Sequence, residues 1–221
     1  MSKRDLFVVV ADLDAENAIR TLLCQRQPAL GIQLDFNPDR PPHGDLLRYS
    51  GRDSGCYKDA VDLLRPPQQT HRHGLLCFDR HGSGAENRAR ERVEAEVEDR
   101  LVASGWPRGH VAAVVLDPEL EAWVWSSSPH VAELLGSGED RQNLVPFLQG
   151  RGLWEHDCPK PQDPKAAMEQ ALRSKRKPRG ARLFAELASR VTLRGCQSPA
   201  FQKLQQTLAS WFPAPNAQEK Q

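Results

Sequence analysis

Carboxylates gather at three points of the chain, each directly after an apolar run. Asp12, Asp14 and Glu16 follow Leu6-Phe7-Val8-Val9-Val10. Asp79 follows Leu75-Leu76-Cys77-Phe78 and leads into Arg80-His81-Gly82. Asp117, Glu119 and Glu121 follow Val111-Ala112-Ala113-Val114-Val115-Leu116. Oxygen donors of this kind suit hard divalent cations, which relieve the repulsion that the carboxylates would otherwise feel. The chemistry such a cluster points to is metal-assisted phosphodiester hydrolysis, with the cation polarising phosphate and acidifying a water. On this reading Asp79, Glu119, Glu121 and Asp12 hold one or two Mg2+ or Mn2+ ions. Catalysis falls to Asp79 with Asp12 or Glu16, the last two orienting the attacking water or shuttling its proton. Plainer roles exist for each residue alone. Asp12 and Asp14 suit helix caps or turns, and Glu119 and Glu121 suit the first turn of a helix, where the dipole favours acids.

These carboxylates meet only if the apolar runs are neighbouring strands of a parallel sheet, whose C-terminal ends share one edge. The pattern predicts a buried strand over 6–11 and a helix over 15–26 with Ala18, Ile19, Leu22 and Leu23 on one face. Leu30–Phe36 alternates like a second strand. The Pro-, Gly- and Asp-rich stretch 37–55 reads as a loop, and a helix over 56–65 is stopped by Pro66-Pro67. A strand over 74–79 precedes a charged helix, 85–104, whose narrow stripe of Val93, Val97, Leu101 and Val102 places it outside the sheet. After the strand 111–116, Pro118 is suited to open a helix reaching Trp125. Further helices are expected over 129–136, 140–149, 164–176, 180–190 and 199–211. The expected architecture is α/β: a mainly parallel sheet flanked by helices over 1–136, a helical C-terminal cap over 137–212 packed at one end of the sheet, and a frayed tail over 213–221.

At 221 residues the chain fits one domain with an appendage. No apolar run approaches the roughly 20 residues that span a bilayer, and the start shows no secretory signal pattern. Five scattered cysteines without a CxxC pair suggest reduced thiols and a cytoplasmic setting. The overall formal charge of +1 hides an asymmetry. Residues 159–221 hold 12 Lys/Arg against 4 Asp/Glu, a net of +8, and residues 1–158 hold 18 against 25, a net of −7. In the basic part Lys175, Arg176, Lys177 and Arg179 form a run fit for phosphate contacts that position nucleic acid without reading its sequence. Trp154, Trp211 and Phe201 are expected in the core rather than stacked on bases, and His71-Arg72-His73 reads as a strand-edge loop.

The same acidic stretches carry a resemblance. Val8-Val9-Val10-Ala11-Asp12 with Glu16, Leu76-Cys77-Phe78-Asp79-Arg80-His81-Gly82 and Glu119-Leu120-Glu121-Ala122-Trp123 resemble the acidic motifs of TOPRIM-like proteins. The likeness is strongest to a bacterial branch encoded among restriction and antiphage genes. It continues through Lys177, Phe184, Cys196, Pro199-Ala200-Phe201 and Leu208, and the whole pattern looks like a small component of the methylation-associated defence system. The resemblance implies a TOPRIM fold, a Mg2+ or Mn2+ site, and nuclease-type work on phage nucleic acid, DNA rather than RNA, beside other defence subunits and away from membranes. Two positions depart from the family pattern. Asp12 stands where a general acid/base Glu is expected, and His81 stands for the second Asp of a magnesium-holding pair, where it suits a softer metal such as Mn2+. The departures leave open a catalytically degenerate subunit that binds nucleic acid or a partner protein.

Overall fold

The computed structural model describes residues 2–126, 128–135, 141–193 and 196–215, with the backbone alone at 141 and 142. Its strands are β1 (Arg4–Val10), β2 (Leu46–Arg48), β3 (His71–Asp79) and β4 (Val111–Leu116). Before the last strand come helices α1 (Leu13–Gln25), α2 (Gln27–Leu30), α3 (Arg52–Lys58), α4 (Ala60–Leu64) and α5 (Arg90–Ala103), with a 3-10 turn at Pro66–Gln69. After it come α6 (Glu121–Val124), α7 (Pro129–Leu135), α8 (Arg141–Gln149), α9 (Pro164–Ser174), α10 (Ala181–Arg190) and α11 (Pro199–Trp211).

The strand runs are apolar at nearly every position because both faces of the sheet are covered. All of β4 is buried, as is β3 from His73 to Phe78. All pairings are parallel, in the order β2-β1-β3-β4. The chain leaves β1 for β2 on one side and then returns past β1 to β3 on the other, so the order reverses between β1 and β3. That is the switch point at which α/β sheets open a crevice. Leu6, Val8, Val10, Leu75, Cys77, Val114 and Leu116 face one core with α1, while Val9, Leu76, Phe78, Ala113 and Val115 face the other with α3, α4 and α5.

Two of the helices after β4 depart from expectation: α11 packs on β4 and α10 on α1, across a face of the sheet rather than at one end. Phe184 and Leu187 of α10 and Phe201, Leu204 and Leu208 of α11 lie in one continuous core with α1, β1 and β4. An amphipathic α10 needs an apolar partner, and α1 supplies it. Arg26 fastens the pair by donating from Nη1 to the carbonyls of Ala188 (2.9 Å) and Ser189 (2.6 Å) and from Nη2 to that of Val191 (3.0 Å). A cation is favoured there, at the carbonyl-rich end of a helix.

The second strand is also displaced. Ile32, Leu34 and Phe36 are buried alternately, yet the segment makes only an isolated antiparallel bridge between Ile32 and Pro213. The strand lies instead at Leu46–Arg48, within the stretch read as a loop. Asp45, fully buried, holds it in place: its carboxylate accepts from Arg4 Nη1 (2.7 Å) and Asn37 N (2.8 Å) and pairs with His71 Nε2 (3.1 Å). The helix expected over 56–65 is two short ones, and the helix expected over 85–104 starts at Arg90. Residues 82–86 instead wrap around Glu86, whose Oε1 accepts from Gly82 N (2.8 Å) and Gly84 N (3.1 Å). Both glycines have positive φ, 83° and 80°, which side chains disfavour. Of the tail, 213–215 is described, and Ala214 N donates to Gly31 O (3.1 Å). The remaining 216–221 lies outside the described residues, as do positions 136 and 140, where two expected helices end and begin.

At the outer edge of β4, backbone groups that would be open are satisfied by α5. Glu98 Oε1 accepts from Ala113 N (3.0 Å) and Glu94 Oε1 from Val115 N (2.9 Å). Arg90 Nη1 (2.7 Å) and Lys203 Nζ (3.2 Å) neutralise the buried Glu94. Among the described residues no helix is long and apolar enough to cross a membrane.

Candidate functional site

Sheet register decides which strand-end residues are level. Val10 pairs with Cys77, and Asp79 with Leu116, so positions 12, 79 and 116 share one row at the C-terminal edge. Asp12 is the N-cap of α1, its Oδ1 accepting from Ala15 N at 2.8 Å. Asp14, rather than capping, sits in the first turn. Asp79 ends β3, and its Oδ1 accepts from Leu120 N (3.0 Å), which ties it to the segment bearing Glu119 and Glu121. Asp53, at the start of α3, accepts from Asp79 N (2.8 Å) through Oδ1. Asp12, Asp53 and Asp79 thus flank the switch point.

Their charges act on one another. The Asp79 carboxyl is held well above the usual carboxylate range by burial, and then by the negative charges of Asp53, Glu121, Asp12 and Glu119. Asp53 is raised by burial and, beyond the lowering effect of the Asp79 N–H, by Asp12 and Glu119. Burial raises Asp14 too; Arg179 opposes this, while Asp12 and Glu121 add to it.

Two cations from the C-terminal part enter the cluster, Lys165 from α9 and Arg179 from the loop before α10. Arg179 Nη2 lies 2.9 Å from Asp14 Oδ2 and 2.6 Å from Glu121 Oε1, and Lys165 Nζ lies 3.2 Å from Glu119 Oε2. Glu119 also pairs with His81 Nδ1 at 2.8 Å. Glu121 is 2% exposed and Glu119 7%, so both carboxylates are desolvated and need these partners. No basic side chain among the described residues pairs with Asp12, Asp53 or Asp79 within 4.0 Å.

Of the residues singled out from the sequence, Asp12, Glu119 and Glu121 lie near enough to Asp79 for their charges to act on it, and Asp12 and Glu121 act likewise on Asp14. Glu16 instead pairs with Arg48 (3.2 Å) and Arg20 (3.7 Å). Asp117 pairs with Arg80 Nε (2.9 Å). Of the basic run, Lys175 and Arg176 are exposed, Lys177 Nζ donates to Leu134 O (2.9 Å), and Arg179 turns into the acidic cluster. Trp154 and Phe201 are buried, while Trp211 is half-buried and stacks on His73. Trp123 lies edge-on to Phe201.

Sequence reasoning missed Asp53 and Lys165. Asp53 lay in a stretch read as loop; an acid just after Gly51 was the available sign of a helix start. Arg52 before it has φ 56°, a left-handed value that non-glycine residues seldom hold away from functional or strained sites. Lys165 is set by Asp163, which caps α9 by accepting from Ala166 N (2.8 Å).

The donor set fits a hard divalent cation in its chemistry: carboxylate oxygens, three of them without a cationic partner, at a sheet crevice. As the side chains stand, no group of three His, Cys, Asp or Glu among the described residues is arranged to hold a metal ion. No family model matches the chain, and no curated protein or solved structure does.

Proposed function

We propose that the chain is a divalent-metal-dependent, phosphodiester-cleaving protein of the TOPRIM-like kind, serving bacterial defence against phage in the cytoplasm. The observation that supports this best is the trio Asp12, Asp53 and Asp79 at the switch point, where burial and then mutual repulsion raise the pKa of Asp53 and Asp79, yet no basic partner stands among the described residues. Asp79 and Asp12 would hold Mg2+ or Mn2+ together with Glu119 and Glu121, with Asp53 beside them, and the bound ion would polarise a phosphodiester and lower the pKa of a water. The chain's own part follows from its geometry. Lys165 and Arg179 border the carboxylates and can bind the phosphate's non-bridging oxygens. Asp12 is exposed, so its free carboxylate oxygen can orient a water while Oδ1 keeps its cap bond.

The test is calorimetric titration with Mn2+ and Mg2+, with cleavage of duplex and single-stranded DNA assayed alongside. The expected result is metal binding and metal-dependent cleavage, both lost in Asp79→Asn. Absence of metal binding in the native chain overturns the reading.

One observation favours a second reading, a degenerate subunit that binds nucleic acid or a partner protein. Arg179 and Lys165 already neutralise Asp14, Glu119 and Glu121 from within the chain, as internal cations would in a site that had lost its metal.

A further inference from the structure

We propose that the opposite, N-terminal edge of the sheet carries a second site, a phosphate-binding cavity walled by Lys3, Gln68, Gln69, Arg72, His73 and His110. It shares no residue with the carboxylate cluster and does not rest on the metal reading. The cavity measures about 340 Å³, within the range of small-molecule sites. Its walls come from three segments: the residue before β1, the turn and first residues of β3, and the loop between α5 and β4, with Gly105, Trp106, Pro107 and His110. No Asp or Glu is among the residues that line it.

The donors there are largely unspent. Lys3 Nζ donates one bond, to Gln68 O at 2.6 Å, which pins the ammonium at the rim with two protons left. Arg72 lies 3.8 Å from Asp5, an ion pair too long for a hydrogen bond. No hydrogen bond from its guanidinium is made among the described residues, and its side chain is 58% exposed. A guanidinium so placed offers the planar pair of N–H groups that matches two phosphate oxygens.

The cavity wall also contains a buried polar atom in want of a partner. His73 is 9% exposed, and its ring is held between His110 (4.7 Å, near parallel) and Trp211 (4.5 Å). Its Nδ1 is buried and makes no hydrogen bond. Leaving such an atom unsatisfied costs about 1–3 kcal/mol. A ligand oxygen, reaching it directly or through one water, relieves that cost. Burial, with the charge of His110 adding to it, pulls the His73 pKa down to about 4, so the ring is neutral at neutral pH. The fixed charges of the cavity are thus Lys3 and Arg72, enough for one phosphate group. Both faces of His73 are already stacked and Trp106 is buried, so neither of these rings is open to a base. The site recognises the phosphate, whether on a small nucleotide or on a nucleic-acid strand.

The experiment titrates the full chain, in metal-free buffer at low salt, with inorganic phosphate, adenosine 5′-monophosphate, and a short single-stranded DNA bearing either a 5′-phosphate or a 5′-hydroxyl. At least one phosphate-bearing probe is expected to bind. Arg72→Gln and Gln69→Glu, both at exposed positions, should each weaken it about tenfold or more, the value of a charge-assisted hydrogen bond. Asp79→Asn should leave it unchanged. Tighter binding of the 5′-phosphorylated strand than of the nucleotide assigns the site to nucleic-acid ends, and the reverse assigns it to a small phosphorylated metabolite. Failure of every probe to bind overturns the proposal, as does native affinity in both Arg72→Gln and Gln69→Glu. Melting curves confirm that each variant folds, and either variant suffices alone.

Discussion

The two edges of the sheet are chemical opposites. At the C-terminal edge Asp12, Asp53, Asp79, Glu119 and Glu121 crowd together until burial and mutual repulsion raise carboxyl pKa values. At the N-terminal edge Lys3, Arg72 and two histidines wall a cavity whose lining has no acid. A parallel sheet makes this separation possible, because every strand starts on one edge and ends on the other. A simple local habit, bases before a strand and acids after it, is summed by the fold into two poles. Lys3 precedes β1 and Asp12 follows it; Arg72 opens β3 and Asp79 closes it; His110 precedes β4 and Glu119 follows it. An antiparallel sheet would have mixed the same residues along both edges.

Divalent metal is the strongest way to probe that polarity. Mn2+ at a hundredfold excess over its Kd should stabilise the native chain by about 2.7 kcal/mol, roughly 5–10 °C in melting temperature for a chain of this size. Asp79→Asn should abolish the gain and Glu121→Gln should remove most of it, as thermal melts will read. A Glu121→Gln response equal to the native one would take that residue out of the site.

Removing the C-terminal cation comes next. Arg179→Gln leaves Asp14 and the buried Glu121 facing each other. Loss of a buried partner costs about 3–5 kcal/mol, and about half of that is expected here because Arg179 is a third exposed. If the acidic edge binds metal, Mn2+ should restore the variant's stability. A loss that Mn2+ does not repair favours the internally neutralised, degenerate reading.

Proton linkage offers a finer measure. Asp79 has its pKa raised in the folded state, so between the unfolded and folded values the native chain holds more protons than the unfolded one. Stability therefore falls as pH rises from near 4 through the raised value. Asp79→Asn mimics the protonated acid and keeps the bond from Leu120 N. It should flatten that fall and raise the melting temperature at neutral pH by roughly 2–4 °C per kcal/mol relieved. Chemical melts between pH 4 and 8 will show it, and an unaltered profile would mean that neither burial nor crowding raises Asp79 in the folded chain.

A smaller effect separates the cap from the charge at Asp12. Asp12→Asn retains a good N-cap, whereas Asp12→Ala forfeits about 1 kcal/mol of helix stability. Both should lose metal affinity equally. The exposed Lys175 and Arg176 form a further basic region, apart from the residues that line the cavity. If they touch nucleic acid, reversing both should lower the log–log salt slope of binding by about 1 for each phosphate no longer neutralised. An unchanged slope would assign the pair to solvation or to a protein partner.

Much of this polarity is legible in the linear chain, because a continuous apolar run bounded by charges fixes both the strand and the residues at its ends. Val111–Leu116 and Pro199–Trp211 fall where periodicity places them. The acids at positions 12, 79 and 119 need only a parallel sheet to come together. What escaped was set by long-range contacts. The alternation in Leu30–Phe36 is real as burial, with Leu34 at 8% and Phe36 at 9% exposure, but alternation does not supply a pairing partner. The paired strand, only three residues long, is placed by the buried Asp45 and its contacts with Arg4 and His71, which span 41 and 26 positions. Arg179 shows the same limit. In the sequence it belongs to a basic run; in space it is the counter-charge of an acid 58 positions earlier.

The glutamates that line β4 govern how this protein can meet copies of itself. With Ala113 N and Val115 N already bonded to Glu98 and Glu94, that margin offers no free donors at those positions to an incoming strand. The other margin, β2, is three residues long. The sheet is thus closed to lengthening on one side and offers little purchase on the other, so a larger assembly would have to grow through helices and loops. Neutralising Glu94 and Glu98 together would leave Ala113 N and Val115 N without their partners, and the first sign of the change would be turbidity rather than lost activity.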